Sequence, residues 1–402
     1  IKQTVLWINR GNPSASYKSA VECRELMKEF RNFIATSCNF ISYECDTKYT
    51  TEELKRCYHI IFNSGASESN NAIVRQVTTA YKFHTKKTPH VIVSSIEHKS
   101  LIECVNQLVG LGLIEATFVK PNALGFVEPE RVQEAIKSNT ALISIMSANN
   151  ETGAIMNIKA IGKIAHDARI PFHTDAVQTF GKYLIDPLAS NVDAFSVSFH
   201  KLHGCKGTGL LVIKKQFIDG YHLLPEICGT QNSGFRGGTE NISGIAGSYT
   251  ATKLTWTDRA AKNKRLAEIK KRMITLLSEA MHCQTYREYL EKPLNVPMQI
   301  VFISTSEKVY LPNTLMLAVV KRTAPDMCNV ELKKKLEASG IIISIGSACN
   351  TSSSKASHVL TEMNVDTLIR KGAVRITIGD ENPIDDADKF VEKFLATLKT
   401  FQ

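Results

Sequence analysis

The chain has 402 residues, of which 43% are hydrophobic and 22% charged, and its formal net charge is +10. These proportions are typical of a soluble globular protein with a large core. No apolar run approaches the roughly 20 residues of a membrane-spanning helix, and no signal peptide is recognisable at the N-terminus. The ten cysteines include no Cys-x-x-Cys pair, so we expect a cytoplasmic, reducing environment.

The basic excess is dispersed along the chain. Its densest runs are the short clusters at residues 270–272 and 333–335, both in helix-like segments where solvated faces explain them best. No nucleic-acid recognition motif accompanies them. We therefore expect neither nucleic acid nor a membrane as a partner, whereas an anionic substrate or an acidic partner would suit the charge.

From about residue 58, short β-rich runs alternate with helical patterns. One helix is predicted after residue 65 and ends at about 82, and another follows the strand at 90–95 and ends at about 110. Two more are predicted over 128–138 and over 157–168. Strands are predicted at 58–63, 90–95, 115–119, 141–146, 171–174, 193–199 and 209–213. This alternation predicts an α/β fold with a mostly parallel mixed sheet covered by helices. Ligands bind such sheets beyond the carboxyl ends of the strands.

The pattern changes near residue 243. Leu266, Ile269, Met273 and Leu277 recur at helical spacing. Farther on, a helix is predicted over 331–339 and a β-branched strand over 341–344. We therefore predict a large domain over 1–250 with a short N-terminal arm over 1–20, a long connecting helix over 251–282, and a smaller α+β domain over 283–402.

Two charged side chains lie at the ends of predicted strands. Asp175 follows the strand at 171–174, and Lys201 follows the strand at 193–199. Pyridoxal phosphate (PLP) chemistry needs this pair, because a lysine forms a Schiff base with the cofactor aldehyde and a carboxylate keeps the pyridine nitrogen protonated. Lys206 is the alternative lysine, but its position between glycines in a turn favours a structural role.

Other polar residues flank the same strand ends. Ser67 lies in a Gly-Ala-Ser turn that is either an anion site at a helix N-terminus or a plain helix cap. His98 can stack on a planar ring or cap a helix. Asn150 lies in an Asn-rich turn that can also bind a phenolic oxygen or a carboxylate. Thr239, in a Gly-Gly-Thr segment before a helix, is a second candidate for phosphate contact.

Two residues of the C-terminal third suggest the substrate chemistry. Arg375 alternates in a predicted strand, where its guanidinium either grips a carboxylate or forms a surface ion pair. Cys349 lies in a loop of small polar residues, which indicates a reactive thiol rather than a core cysteine. No metal is expected, because the spacing of His200, His203 and Cys205 matches no common zinc pattern.

Together these motifs resemble the cysteine desulfurases of the NifS/IscS type, in the class V aminotransferase group of fold-type I PLP enzymes. The resemblance covers roughly residues 10–385. The matching motifs lie at residues 11–14, 65–71, 97–99, 149–153, 173–178, 198–201, 237–241, 311–314 and 346–349.

The resemblance implies a role for each candidate. Lys201 forms the Schiff base and moves protons, His98 stacks on the ring and acts as acid or base, and Cys349 attacks the substrate sulfur. The residues implied to contact PLP are Ala66, Ser67, His98, Asn150, Asp175, Gln178, Ser198, His200, Lys201 and Thr239. Within this set Gln178 pairs with the phenolic oxygen, and Ser67, Ser198 and His200 hold the phosphate.

The resemblance also implies partners and a reaction. Asn150 and Arg375 hold the substrate carboxylate, and Thr239 reaches the phosphate of a neighbouring subunit in a homodimer. L-Cysteine becomes L-alanine, and the sulfur stays on Cys349 as a persulfide for an acceptor protein such as an iron–sulfur scaffold.

Three alternatives stay open. The chain is also compatible with a PLP aminotransferase or a selenocysteine lyase. Only ten residues precede Gly11, where the family has a strand and a further segment that helps form the substrate mouth. This departure suggests the third alternative, a divergent NifS-like protein with reduced activity that acts through partners.

Overall fold

The computed structural model describes residues 1–8, 10–44, 47–323, 327–345 and 357–401. The chain forms two compact units. Unit 1 comprises Ile1–Val119, Glu128–Ser147 and Asn157–Thr257, and unit 2 comprises Lys120–Val127, Ala148–Met156 and Asp258–Gln402.

Unit 1 is built on an eight-stranded mixed sheet in the order β1-β2-β8-β7-β6-β5-β3-β4. Only β8 runs antiparallel to its neighbours β2 and β7. The strands are β1 (Ile41–Ser42), β2 (Cys57–Asn63), β3 (His90–Ser94), β4 (Glu115–Val119), β5 (Thr140–Ser144), β6 (Phe172–Asp175), β7 (Ala194–Ser198) and β8 (Gly209–Lys214). The mostly parallel sheet predicted from the β/α alternation is confirmed.

Helices cover both faces of this sheet. Successive side chains of a strand point to opposite faces. In β2, Ile61 joins a core cluster with Ile73 and Val77 of α4, while the ring of Phe62 packs 5.4 Å from that of Phe30 in α2. The helices of unit 1 are α1 (Lys2–Trp7), α2 (Lys18–Ser37), α3 (Thr51–Lys55), α4 (Ala66–Thr85), α5 (Lys99–Gly110), α6 (Pro129–Glu134), α7 (Ile158–Asp167), α8 (Lys215–Tyr221) and α9 (Ile242–Trp256).

Two buried histidines tie neighbouring strands of the sheet together. His90 of β3 and His173 of β6 are both fully buried. Each ring binds two hydroxyls at 2.8 Å: Thr140 and Thr117 for His90, Ser144 and Ser196 for His173. Burial lowers the pKa of His90 to about 4 and that of His173 to about 3. Both rings are therefore neutral at pH 7.

Unit 2 contains a four-stranded sheet in the order β12-β11-β10-β9. Leu266, Ile269, Met273 and Leu277 form the apolar stripe of α10 and pack in the core of this unit. The elements of unit 2 are α10 (Arg259–Ala280), β9 (Cys283–Thr285), α11 (Tyr286–Glu291), β10 (Met298–Phe302), β11 (Thr314–Lys321), α12 (Asn329–Ala338), α13 (His358–Glu362), α14 (Thr367–Gly372), β12 (Ala373–Thr377) and α15 (Asp386–Lys399).

The structure differs most clearly from the predicted elements in the connecting helix and in the strand at 341–344. The stretch predicted as one connecting helix holds parts of two helices, because the chain leaves α9 at Thr257 and Asp258 adopts a left-handed φ of 56°. The strand predicted over 341–344 is wrong. Only Ser344 pairs, through an isolated bridge to Arg375 on the edge strand β12, and Ile342 is 85% exposed.

No helix within the described ranges combines the length and the apolar character needed to cross a bilayer.

Candidate active site

Asp175 is the last residue of β6 and is buried. Its Oδ2 accepts a hydrogen bond from Nδ2 of Asn70 at 2.8 Å, and its Oδ1 accepts one from the backbone N–H of Val177 at 3.0 Å. Burial raises the pKa of Asp175, while these two donors and the nearby basic side chains of His98 and Lys201 act against the rise. The carboxylate therefore lies in a closed environment with basic groups around it.

Lys201 follows β7 in a single 3-10 turn, Phe199–Leu202, and its side chain is exposed. The neighbouring His200 has a lowered pKa because of desolvation and because of the nearby basic side chains of Lys201, Lys206 and His98. These basic side chains thus form one cluster beyond the carboxyl ends of β7 and β3. The rival lysine, Lys206, belongs to the same cluster.

The N-terminus of α4 meets the end of β7. Ser198 is buried, and its Oγ accepts a hydrogen bond at 2.7 Å from the backbone N–H of Ala66, the first residue of α4. Ser67 follows and is exposed. Gly65 has a φ of 143°, and a Cβ added there would lie 3.3 Å from Ser198 Oγ. Glycine therefore keeps this helix end open, with amide groups and hydroxyls around it.

His98 caps α5. Its Nδ1 accepts a hydrogen bond from the backbone N–H of Ser100 at 3.2 Å and lies 2.8 Å from Ser100 Oγ. Nδ2 of Asn70 contacts the same hydroxyl at 3.2 Å. Asn70 thus joins Asp175 to the cap of α5, and neither Asn70 nor Ser100 was a predicted site residue. No local signal in the sequence distinguishes them, because their contacts join separate elements.

Glu97 is fully buried beside His98 and was also missed as a candidate. Its Oε1 accepts hydrogen bonds from Ser94 Oγ and from the backbone N–H of Met146, both at 2.7 Å. Burial raises its pKa to about 8, and the charge of Asp175 adds to the rise. A carboxyl group that holds its proton at pH 7 therefore supports the start of α5.

Gln178 and Thr239 occupy other parts of unit 1. Gln178 is half-buried in the turn after β6, where its backbone oxygen accepts from Lys182 Nζ at 3.3 Å. Thr239 is exposed and lines a pocket with Arg236, whose Nε donates to Glu68 Oε1 at 2.8 Å. The pocket lining does not include the basic cluster around Lys201.

The candidate carboxylate ligands lie in unit 2. Nη1 of Arg375 donates to the backbone oxygen of Asn150 at 2.8 Å. Burial lowers the pKa of Arg375, and the charge of Glu151 opposes this. The Asn-rich turn is made by Asn149, whose Oδ1 accepts from the N–H groups of Glu151 and Thr152 at 2.9 Å. The side chain of Asn149 is therefore structural.

Glu151 is fully buried in the same turn. It accepts a hydrogen bond from Ser357 Oγ, and its Oε1 lies 3.9 Å from Nδ1 of His358. Ser344 also pairs with the backbone of Arg375. Cys349, the predicted nucleophile, lies outside the described residues, but Ser344 and Ser357 are described on either side of it. Ser344 therefore contacts Arg375, and Ser357 contacts Glu151.

The family model for class-V aminotransferases matches residues 53–390 of the chain. The chain belongs to this family. The resemblance inferred from the motifs is thereby confirmed, and the family consists of PLP-dependent enzymes.

Curated relatives of this class-V family member include cysteine desulfurases of the IscS type. The chain is 32% identical over 394 residues to the cysteine desulfurase IscS of Dictyoglomus turgidum, covering 97% of this chain and 89% of the relative. It is 36% identical over 337 residues to the IscS of Methanosarcina thermophila, covering 83% and 75%. Both relatives align over most of their lengths.

Solved structures agree with this relationship. A NifS-like protein superposes with a TM-score of 0.81 at 26% identity, covering 99% of this chain and 95% of that one. A structure described as SspA in complex with cysteine superposes with a TM-score of 0.69 at 28% identity, covering 94% of each chain. The predicted fold-type I architecture is therefore confirmed.

The residues of unit 1 fit a bound PLP by the chemistry of their donors. The buried carboxylate of Asp175 matches a pyridinium N–H, and the open N-terminus of α4 with Ser67 and Ser198 matches an anionic phosphate. The basic cluster adds positive charge for that anion and supplies the amine of Lys201. The pyridine nitrogen, the phosphate and the aldehyde of the cofactor thus each have a candidate partner within this unit.

Proposed function

We propose that this family member is a PLP-dependent cysteine desulfurase. The carbon–sulfur bond of L-cysteine breaks and a sulfur–sulfur bond to Cys349 forms. The carbon that loses sulfur gains a proton, and L-alanine leaves. One thiol plus one cysteine thus give one persulfide plus alanine, with no external oxidant or reductant.

The observation that carries the proposal is the grouping of Asp175, His98 and Lys201 at the carboxyl ends of the strands. When bound, PLP supplies an electron sink for bonds at the substrate α-carbon. Lys201 retains the cofactor covalently and moves protons at its Nζ. Asp175 would hold a proton on the pyridine nitrogen, and His98 would lie against the ring.

The remaining contacts follow from chemistry and family position. Ala66, Ser67, Ser198 and His200 bind the phosphate, and Gln178 binds the phenolic oxygen. Asn150 and Arg375 hold the substrate carboxylate, since a guanidinium binds carboxylate strongly. Arg375 is supported in this role by its half-buried position and its contact with Asn150 O.

The proposed assembly is a homodimer in which Thr239 of each chain reaches the phosphate bound by its partner. Its exposed position is compatible with that role. The persulfide on Cys349 passes to an acceptor protein, for which an iron–sulfur scaffold is the proposed class.

The proposal is tested with the purified chain, PLP and L-cysteine. We expect a visible cofactor band that shifts on adding cysteine, with alanine and, in the presence of a reducing thiol, sulfide formed in equal amounts. Steady transamination without sulfide would contradict the proposal in favour of an aminotransferase, and a strong preference for selenocysteine would favour a lyase.

Two matched pairs of variants locate the chemistry. Lys201→Ala should lose the cofactor that borohydride otherwise fixes to the chain, whereas Lys206→Ala should retain it. Cys349→Ala should keep the cofactor band but form no sulfide. Cys328→Ser, which alters an exposed cysteine outside the proposed site, should leave turnover unchanged. Retained turnover in Cys349→Ala would remove the persulfide role.

A further inference from the structure

A chain of hydrogen bonds runs from Asp175 to His98 through two residues that are not among the predicted catalytic groups. Asn70 is fully buried in α4. Its Nδ2 donates both to Oδ2 of Asp175 at 2.8 Å and to Oγ of Ser100 at 3.2 Å. The hydroxyl of Ser100 in turn lies 2.8 Å from Nδ1 of His98.

The direction of these hydrogen bonds follows from the atoms that can donate but cannot accept. The backbone N–H of Ser100 points at Nδ1 of His98 at 3.2 Å, and an amide N–H cannot accept. Nδ1 must therefore be the unprotonated nitrogen. Because Ser100 Oγ accepts from Asn70, its own hydroxyl proton is available for Nδ1 as well. A neutral His98 then carries its proton on Nε2.

The position of Ser100 is fixed from a second direction. Nδ2 of Asn71 donates to the backbone oxygen of Ser100 at 3.1 Å and to that of Ser67 at 2.9 Å. Two successive asparagines of α4 therefore hold one residue of α5, one by its hydroxyl and the other by its carbonyl. The first turn of α5, and with it the cap at His98, is tied to α4.

We propose that Asn70 and Ser100 are positioning residues that hold His98 in the tautomer protonated at Nε2 and link its orientation to the Asp175 carboxylate. His98 then has its hydrogen-bond donor at Nε2. It accepts a proton only at Nδ1, by giving up its bonds to Ser100. The consequence for catalysis rests on the proposed function, whereas the tautomer itself does not.

The tautomer is measured by nitrogen-15 NMR of the full chain labelled at histidine, before and after adding PLP. Comparison with His98→Gln assigns the resonances. We expect an unprotonated Nδ1 and a protonated Nε2 for His98 in the unaltered chain. A protonated Nδ1 of His98 near pH 7.5 would overturn the proposal.

Ser100→Ala tests the link itself. It keeps the backbone bond but removes the hydroxyl, so we expect partial population of the other tautomer and a kcat lower by about fivefold, as for loss of one hydrogen bond. KM for L-cysteine should stay within about twofold, because no substrate contact is lost. Ser100→Thr restores the hydroxyl and should restore both the tautomer and kcat.

Ser243→Ala is the matched control. Ser243 also stands two residues after a helix cap, and its Oγ donates to the side chain of the capping Asn241 at 3.2 Å. It should change neither readout. A Ser100→Ala chain with unaltered tautomer and unaltered kcat would overturn the positioning role. Absence of alanine formation by the unaltered chain would remove the proposed function but leave the NMR result decisive for the tautomer.

Discussion

At the scale of single residues, the site depends on buried charges that have specific partners. Asp175 is buried, and a carboxylate in that position is unfavourable unless donors and positive charges surround it. Asn70, the N–H of Val177 and the nearby basic groups provide these. In unit 2, Glu151 is buried beside Arg375 and provides the opposite charge that Arg375 needs.

Glu151→Gln tests whether the buried carboxylate offsets the charge of Arg375. The amide can still accept from Ser357 but no longer carries the charge that offsets Arg375. We expect the free energy of unfolding to fall by about 1–3 kcal/mol, measured by urea unfolding. KM for L-cysteine should not rise, because the freed guanidinium still binds carboxylate.

Asp388→Asn is the control for this change. It also removes a carboxylate from an arginine, Arg272, but that ion pair is solvent-exposed on both sides. A smaller loss than for Glu151→Gln is expected, because solvent screens an exposed ion pair. Equal losses in the two variants would show that Glu151 has no special electrostatic role.

Sequence patterns could suggest Asp175 and Lys201 as candidates, because charged side chains after apolar strands are visible locally. They could not locate Asn70 or Ser100. Asn70 meets its two partners across 105 and 30 residues of sequence, and nothing in the helical pattern of α4 shows which polar residue turns inward. Glu97 was likewise missed, because its burial is a property of the folded sheet.

At the scale of elements, the start of α4 is set by contact between two glycines. A Cβ on Gly209, the first residue of β8, would lie 2.5 Å from Cα of Gly65 and 2.5 Å from the backbone oxygen of Val197. Both neighbours are backbone atoms, which cannot rotate away. This close approach places the N-terminus of α4 against β7 and β8.

We therefore predict that Gly209→Ala moves the start of α4. The free energy of unfolding should fall by about 1–3 kcal/mol from overpacking, and PLP should be retained more weakly because the amides of Gly65 and Ala66 shift. Thermal unfolding and PLP titration measure the two effects.

Gly220→Ala provides the comparison. Gly220 lies in α8, and an added Cβ there meets nothing within 4 Å. Alanine in a helix interior should be neutral or stabilising. If Gly209→Ala behaved like Gly220→Ala, the glycine contact would not position α4.

Elements with a strong hydrophobic periodicity could be predicted from the sequence. The segment at 341–343 shows that β-branched composition alone does not predict a strand. Its isoleucines have high β propensity, but β-propensity reflects packing on a half-buried surface. Here the segment borders the edge strand β12, pairs only at Ser344, and leaves Ile342 exposed. Local composition does not reveal whether a neighbouring strand is available along the full length of the run.

At the scale of the whole molecule, the two neutral histidines make stability depend on pH. The native pKa values of His90 and His173, about 4 and 3, lie below the ordinary 6.5. Between the native and the unfolded pKa values, the unfolded chain binds more protons than the native chain. The stabilisation that comes from keeping both histidines neutral is therefore complete above pH 6.5 and is lost as pH falls. Glu97, with a raised pKa of about 8, contributes oppositely, and its share is lost as pH rises from about 4.5 to 8.

The comparison of His173→Asn with the unaltered chain isolates the histidine contribution. The variant keeps polar groups toward Ser144 and Ser196 but does not titrate. We expect its urea midpoint to fall less steeply between pH 6.5 and 4. His166→Asn, at an exposed position, should leave the slope as it is. An unchanged slope in His173→Asn would show that this ring is not held neutral.

The division of the chain into two units has a consequence for how the protein can be made and cut. Unit 2 includes the short segments Lys120–Val127 and Ala148–Met156, which are synthesised before unit 1 is complete. Their partners come much later: Gly153 O accepts from the N–H of Leu311, and Ala154 pairs with Tyr310. During translation more than a hundred further residues are synthesised before these partners exist. A fragment that stops at Thr257 would leave them without their partners, so neither unit should be obtainable as an independent product by simple truncation.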